Sequence, residues 1–147
     1  MGVERSASVV WEGNLLEGNG VVTAGSSGAF VELPVTWPSR TETPGGKTSP
    51  EELIAAAHAA CFAMSLSHEL TGKGHPPARL DVAATSSGHL GETGWQIDSM
   101  DLEVTAEVPG IDSSTFDEAL AAAEQGCPVS RALRGGIEIR VKGSLRS

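Results

Sequence analysis

The sequence predicts an α+β protein, mostly antiparallel sheet packed on one long buried helix. Three observations carry that prediction. The element patterns run strands, helix, strands, helix, strand. The strands are joined by short hairpin turns rather than by helical crossovers. And the run LIAAAHAACFAMSLSHEL is apolar on all sides for about three turns, the mark of a helix buried all round. The 147 residues, 15.1 kDa, suit a single domain, 1–147. Apolar residues at 39%, with 18 glycines, fit a globular chain and exclude a disordered one.

The N-terminal third reads as strands and turns. Ser6 to Trp11 carries a β-branched pair and an aromatic, and Gly18-Asn19-Gly20 follows as a tight turn. Val21–Thr23 and Ala29–Leu33 read as short strands flanking the turn Gly25-Ser26-Ser27-Gly28. Pro34 to Lys47 holds three prolines and ends in Gly45-Gly46, so it reads as a long loop. Ser49 then offers an N-cap, Pro50 suits the first helical position, and Glu52 would complete a capping box. Glu51 and Glu52 complement the positive end of the helix dipole. The alanines before Cys61 let another backbone approach, so the helix is expected to pack on a sheet on one side and a helix on the other. Gly72, Gly74 and Pro76-Pro77 end it.

Leu80–Ser86 and Gln96–Val108 alternate as two longer strands around a turn at His89–Gly94. Asp112 to Ser114 supply caps for a second helix, Thr115–Gln125, closed by Gly126. Cys127-Pro128 starts a further helical turn over Val129–Leu133, and Ile137–Val141 is a final strand.

The net charge of −9, with no basic run strong enough to reverse it, argues against nucleic acid and anionic membrane surfaces as partners. No unbroken apolar stretch approaches the roughly 20 residues that cross a bilayer, and the N-terminus lacks a signal-peptide core. Two cysteines do not make a disulfide scaffold, so a reducing cytoplasm is the expected setting. There, reactivity becomes the question. Cysteines are often small buried hydrophobes. Cys127, however, opens a helix, where backbone N–H groups and the dipole favour a thiolate.

The segment from Thr48-Ser49-Pro50-Glu51-Glu52-Leu53 through His58-Ala59-Ala60-Cys61-Phe62 to Ser67 resembles the central helix of the OsmC family. That family is related to the organic hydroperoxide resistance proteins; the sequence looks closer to its OsmC branch. Val108-Pro109-Gly110-Ile111-Asp112, and Ala123 through Gly126-Cys127-Pro128 to Ser130, resemble the family's second cysteine region, and Trp11-Glu12-Gly13 also fits. The resemblance implies an intertwined α+β homodimer acting as a cofactor-free thiol peroxidase on organic hydroperoxides and, more weakly, hydrogen peroxide. By match of motif, Cys61 would be the peroxidatic cysteine and Cys127 the resolving one, and a dithiol such as a lipoylated protein would reduce the resulting disulfide. Arg40, in a loop slightly longer than the family pattern, would stabilise the thiolate. Glu51, ten positions before Cys61, would orient that Arg.

The chemistry has a physical logic. Apolar burial raises a thiol pKa, so a reactive Cys61 needs a cation, and a buried Arg needs a carboxylate to fix it. Ten residues of helix put Glu51 roughly 15 Å from Cys61 along the axis. Within one chain the pair can act on Cys61 only if an extended Arg bridges that gap; the expectation instead is that each site uses residues of both subunits.

Other readings stay beside this one. His58, three residues before Cys61, permits a Cys–His hydrolase, although a satisfied core histidine is the plainer reading. A redox-sensing or ligand-binding member that does not turn over is a further alternative. His58, His68, His75 and His89 fall on different elements, so no metal is expected. Gly45-Gly46-Lys47-Thr48 lacks the strand and first glycine of a phosphate loop. Arg131, Arg134, Arg140, Lys142 and Arg146 form a basic run, read as solvated surface or a docking patch for an acidic reductase. Leu53, Phe62, Met64 and Phe116 are core candidates that could instead line an apolar pocket beside Cys61.

Overall fold

The computed structural model describes residues 2–146, so Met1 and Ser147 of the expected domain lie outside it. The chain divides into two compact units, one ending at Leu53 and the other beginning at Ile54.

In the first unit β1 (Ser8–Glu12), β2 (Asn19–Thr23) and β3 (Leu33–Val35) form an antiparallel sheet in that order. Val10 faces Val21, and Val21 in turn faces Pro34. Pro34 is tolerated because β3 is an edge strand. The strand read over Ala29–Leu33 begins later than expected. Glu32 takes φ 54°, which breaks the extended run, and pairing starts at Leu33. Between β1 and β2 the chain turns through Gly13 at φ 94°, and a Cβ on Gly18 would strike the carbonyl oxygens of Asn14 and Glu12.

The expected loop Pro34–Lys47 contains a short helix, α1 (Trp37–Thr41). Thr36 caps it: Ser39 N–H donates to Thr36 Oγ1 at 3.1 Å and Thr36 N–H to Ser39 Oγ at 2.9 Å. Pro38 sits in the first turn, where its missing N–H costs nothing.

The long helix α2 (Pro50–Gly72) starts as expected, with Glu52 N–H donating to Ser49 Oγ at 3.1 Å. The second half of the capping box is not made. Glu52 Oε1 accepts from Thr48 Oγ1 at 2.8 Å instead.

In the second unit β4 (Arg79–Gly91), β5 (Gly94–Glu107) and β6 (Glu138–Leu145) form a sheet in that order. β4 and β5 are antiparallel with an irregularity at Ser87/Gly88; the turn shrinks to Glu92-Thr93 because His89–Gly91 stay paired. β6 runs parallel to β5, a departure from the antiparallel rule of the fold. Two helices, α3 (Ser113–Gly126) and α4 (Pro128–Leu133), intervene between those strands, and such a crossover returns the chain in the same direction.

Met100, Leu102, Val104 and Ala106 alternate onto one face of β5. Three of them join Phe62, Leu66 and Leu70 of α2, and Phe116, Ala119 and Ala123 of α3, in one core. Each fully buried large side chain there contributes about 1.5–3 kcal/mol. β6 closes against α3 at Gly143, where a Cβ would collide with Leu120.

The helix α2 is not buried all round. Ala55, His58, Phe62, Leu66 and Leu70 form its buried stripe, at the three- and four-residue spacing of one helix face. Ala56, Ala57, Ala60 and Met64 are exposed, because one chain supplies a sheet and α3 to only one side. At 23 residues α2 does reach the length and apolarity of a bilayer-crossing helix, contrary to expectation. Its buried stripe nevertheless belongs to the core of the second unit.

Candidate active site

Each unit holds one pair of the residues singled out from the sequence. In the first unit Arg40, at the end of α1, donates from Nε to Glu51 Oε1 at 2.8 Å. The capped turn at Thr36–Ser39 fixes where Arg40 emerges, and the first turn of α2 presents Glu51. The guanidinium also lies 5.7 Å from the centroid of the Trp37 ring, within cation–π range. Glu51 Oε2 is buried with no hydrogen-bond partner among the described residues, a cost the pair carries unless a further donor arrives.

Arg40 forms part of the wall of an apolar cavity of about 340 Å³, with Trp11, Leu15, Val35, Trp37 and Leu53 among its other walls. Of the four residues expected to line an apolar pocket, only Leu53 does so here. Phe62 and Phe116 are core residues, and Met64 is exposed on α2. Trp11 and Trp37 were not expected on a pocket wall, because nothing in the sequence spacing brings β1 and α1 together.

In the second unit Cys61, partly buried on α2, lies close enough to the Cys127 thiol and the Val129 backbone N–H for both to act on its ionisation. Cys127 is fully buried between two helices. It ends α3, its N–H donating to the Ala123 carbonyl at 2.8 Å, and it caps α4, with Pro128 next. Its side chain makes no capping hydrogen bond. The N–H that favours a thiolate here acts on the other sulfur: Val129, in the first turn of α4, lowers the Cys61 pKa. Burial pushes the Cys61 thiol up from its ordinary value, and Cys127 adds to that; Val129 N–H and the charge of Arg131 pull it back without cancelling the rise.

His58 and Ser130 are both fully buried, and His58 Nε2 lies 2.7 Å from Ser130 Oγ. Burial pulls the His58 pKa below its ordinary value, opposed by the Glu124 carboxylate. Ser65 Oγ donates to the Ala123 carbonyl at 2.9 Å. Ser130 and Ser65 were not singled out from the sequence. The available signal was their offset: Ser130 follows Cys127 by three residues, as Cys61 follows His58.

The basic run is largely neutralised. Arg134 pairs with Glu124 at 2.9 Å, Arg140 with Asp101 and Glu138, and Arg146 with Glu107 at 3.3 Å. A solvated surface with local ion pairs describes it.

The OsmC-like protein family model matches residues 43–142. The chain belongs to the OsmC-like family. Peroxiredoxin OsmC of Escherichia coli is 40% identical over 139 residues, covering 95% of this chain and 96% of that protein. The organic hydroperoxide resistance protein of Xanthomonas axonopodis pv. citri is 28% identical over 137 residues, covering 85% and 92%. The crystal structure of an organic hydroperoxide resistance protein from Elizabethkingia anophelis superposes with a TM-score of 0.73 at 26% identity, covering 99% of this chain and 100% of that one. The OsmC-like match includes Glu51, Cys61 and Cys127; Arg40 precedes it.

Proposed function

We propose that this OsmC-like chain is a cysteine peroxidase that reduces organic hydroperoxides, and hydrogen peroxide more weakly. The observation that carries the reading is the Cys61 sulfur beside both Cys127 and the Val129 N–H. The names of the Escherichia coli and Xanthomonas relatives support the same chemistry. The Cys61 thiolate attacks the distal peroxide oxygen, releasing the alcohol after protonation and leaving a sulfenic acid. The Cys127 sulfur then displaces that hydroxyl, which leaves as water with the thiol proton, and a Cys61–Cys127 disulfide remains. A dithiol, such as a lipoylated protein, restores both thiols. No cofactor enters this cycle.

Arg40 is assigned the stabilisation of the Cys61 thiolate and Glu51 the orientation of its guanidinium, supported by the 2.8 Å pair and by a Cys61 thiol that burial otherwise holds high. The functional unit is taken as the single domain 1–147 in a cytoplasmic homodimer. The exposed apolar face of α2 supports pairing with a second copy. The Cys–His hydrolase alternative is disfavoured, since His58 Nε2 is engaged by Ser130.

The test is intact mass after one equivalent of an organic hydroperoxide. Loss of about 2 mass units per chain supports the disulfide. In Cys127→Ser the same treatment should leave a sulfenic acid on Cys61 that dimedone labels. An unchanged mass with no label in either protein would overturn the reading.

A further inference from the structure

The contacts between α2 and the α3–α4 junction form a ladder. Read along α2, His58, Cys61 and Ser65 stand at intervals of three and four residues, so they share one helix face. Opposite them, in reverse order and at the same intervals, stand Ser130, Cys127 and Ala123. The outer rungs are hydrogen bonds: His58 Nε2 to Ser130 Oγ at 2.7 Å, and Ser65 Oγ to the Ala123 carbonyl at 2.9 Å. The middle rung is the cysteine pair.

Each outer rung grips the segment that carries Cys127. The Ala123 carbonyl that accepts from Ser65 also accepts the N–H of Cys127, at 2.8 Å. Ser130 lies in the first turn of α4, the six-residue helix that Cys127 caps and that sets the Val129 N–H near Cys61. A helix that short has little stability of its own. Its position depends on what it packs against and is tied to: Cys127 and Val129 pack into the core, and the buried hydrogen bond on that side goes to His58. Cys127 makes no side-chain cap bond, so its sulfur is held by burial and by the backbone that carries it.

We propose that His58, Ser65 and Ser130 are positioning residues that clamp the Cys127 segment against α2, so that the Cys61 sulfenic acid is closed to a disulfide before a second peroxide can reach it. The proposal rests on the peroxidase reading above. Its step is the condensation already written: the S–S bond forms, the S–O bond of the sulfenic acid breaks, and water carries away the hydroxyl and the Cys127 proton. The competing step is oxidation of the same sulfenic acid by a second organic hydroperoxide to the sulfinic acid, releasing one more alcohol. The clamp decides between these fates, and whatever it does to the first oxidation through Val129 does not enter the ratio of the two.

The measurement is therefore a branching ratio on the full-length protein. Tert-butyl hydroperoxide is added in excess with dimedone present, and intact mass gives the disulfide, dimedone-adduct and sulfinic fractions. Because the ratio starts from a sulfenic acid already formed, it does not depend on how fast each variant makes one. His58→Leu, Ser65→Ala and Ser130→Ala should each shift the ratio of adduct plus sulfinic acid to disulfide upward by about fivefold, the worth of one buried hydrogen bond. His58→Gln, whose amide can reach Ser130, should recover most of the disulfide. Ser65→Ala, which removes one hydroxyl from a partly buried site, carries the test if a His58 variant does not fold. Folded variants that branch like the wild type would overturn the clamp. A wild-type protein giving neither disulfide nor adduct would instead overturn the peroxidase reading beneath it.

Discussion

The apolar cavity beside Arg40 makes a quantitative prediction about substrate choice. Its walls are almost all hydrocarbon: Trp11, Leu15, Val35, Trp37 and Leu53, with Arg40 as the charged member. A hydroperoxide bound with its peroxide toward Arg40 would place its alkyl group against those walls. Each methylene-sized group removed from water stabilises the bound state by about 0.8 kcal/mol. The volume of about 340 Å³ admits a tert-butyl or a cumyl group. The four carbons of tert-butyl, about half buried in an open cavity, gain about 1.5 kcal/mol, or roughly tenfold in kcat/KM over hydrogen peroxide. Cumyl, with more than twice the carbon, should exceed that. The perturbation is Leu15→Asp. Leu15 is 54% exposed, so the change should leave stability within about 0.5 kcal/mol. It would nevertheless set a hydrated carboxylate in the apolar wall, and the preference for tert-butyl over hydrogen peroxide should fall by about fivefold. The assay is stopped-flow consumption of each oxidant with a dithiol as reductant. A wild-type preference for hydrogen peroxide, or a Leu15→Asp ratio equal to the wild type's, would refute the assignment of this cavity to the alkyl tail.

Two further outcomes follow from the same residues. A heterodimer of Cys61→Ser and Arg40→Ala subunits should keep about half the activity if sites are shared between subunits, because one site loses both groups and the other stays intact; activity near zero would mean that each chain supplies its own Arg40. Stability should also fall on the acid side through His58. Its folded pKa lies below the ordinary value of 6.5, so the unfolded chain takes up the proton first. The stability from its neutral burial is present above that ordinary value and is lost as pH falls below it toward the folded pKa, with the Glu124 carboxylate moderating the loss. Urea titrations at a series of pH values should show a shallower acid decline in His58→Gln, and a parallel decline would contradict this account.

Much of the molecule is determined by local sequence. The start of α2 is written in Ser49, Pro50 and Glu52, since capping and dipole effects act within a turn. β5 is written in the alternation from Met100 to Ala106, since a pleated strand repeats every two residues. Cys61, Cys127 and Glu51 were legible through motifs at fixed spacing, and the lone helix turn after Cys127 through Pro128. Other features depend on partners distant in the chain. The helix α1 hides in a proline-rich segment, and besides its own Thr36 cap its Ser39 Oγ is held by the Thr48 carbonyl nine residues on, at 3.1 Å. The parallel pairing of β6 is set by what α3 and α4 do between it and β5. The Val129 N–H acts on Cys61, sixty-eight residues earlier in the chain, a pairing no local rule predicts. The same holds for the sites. Sequence named the two cysteines and the Arg40–Glu51 pair. Only the tertiary structure set His58 on Ser130 and Ser65 on Ala123, because a buried hydrogen bond between helices needs both backbones in place before either residue has a partner.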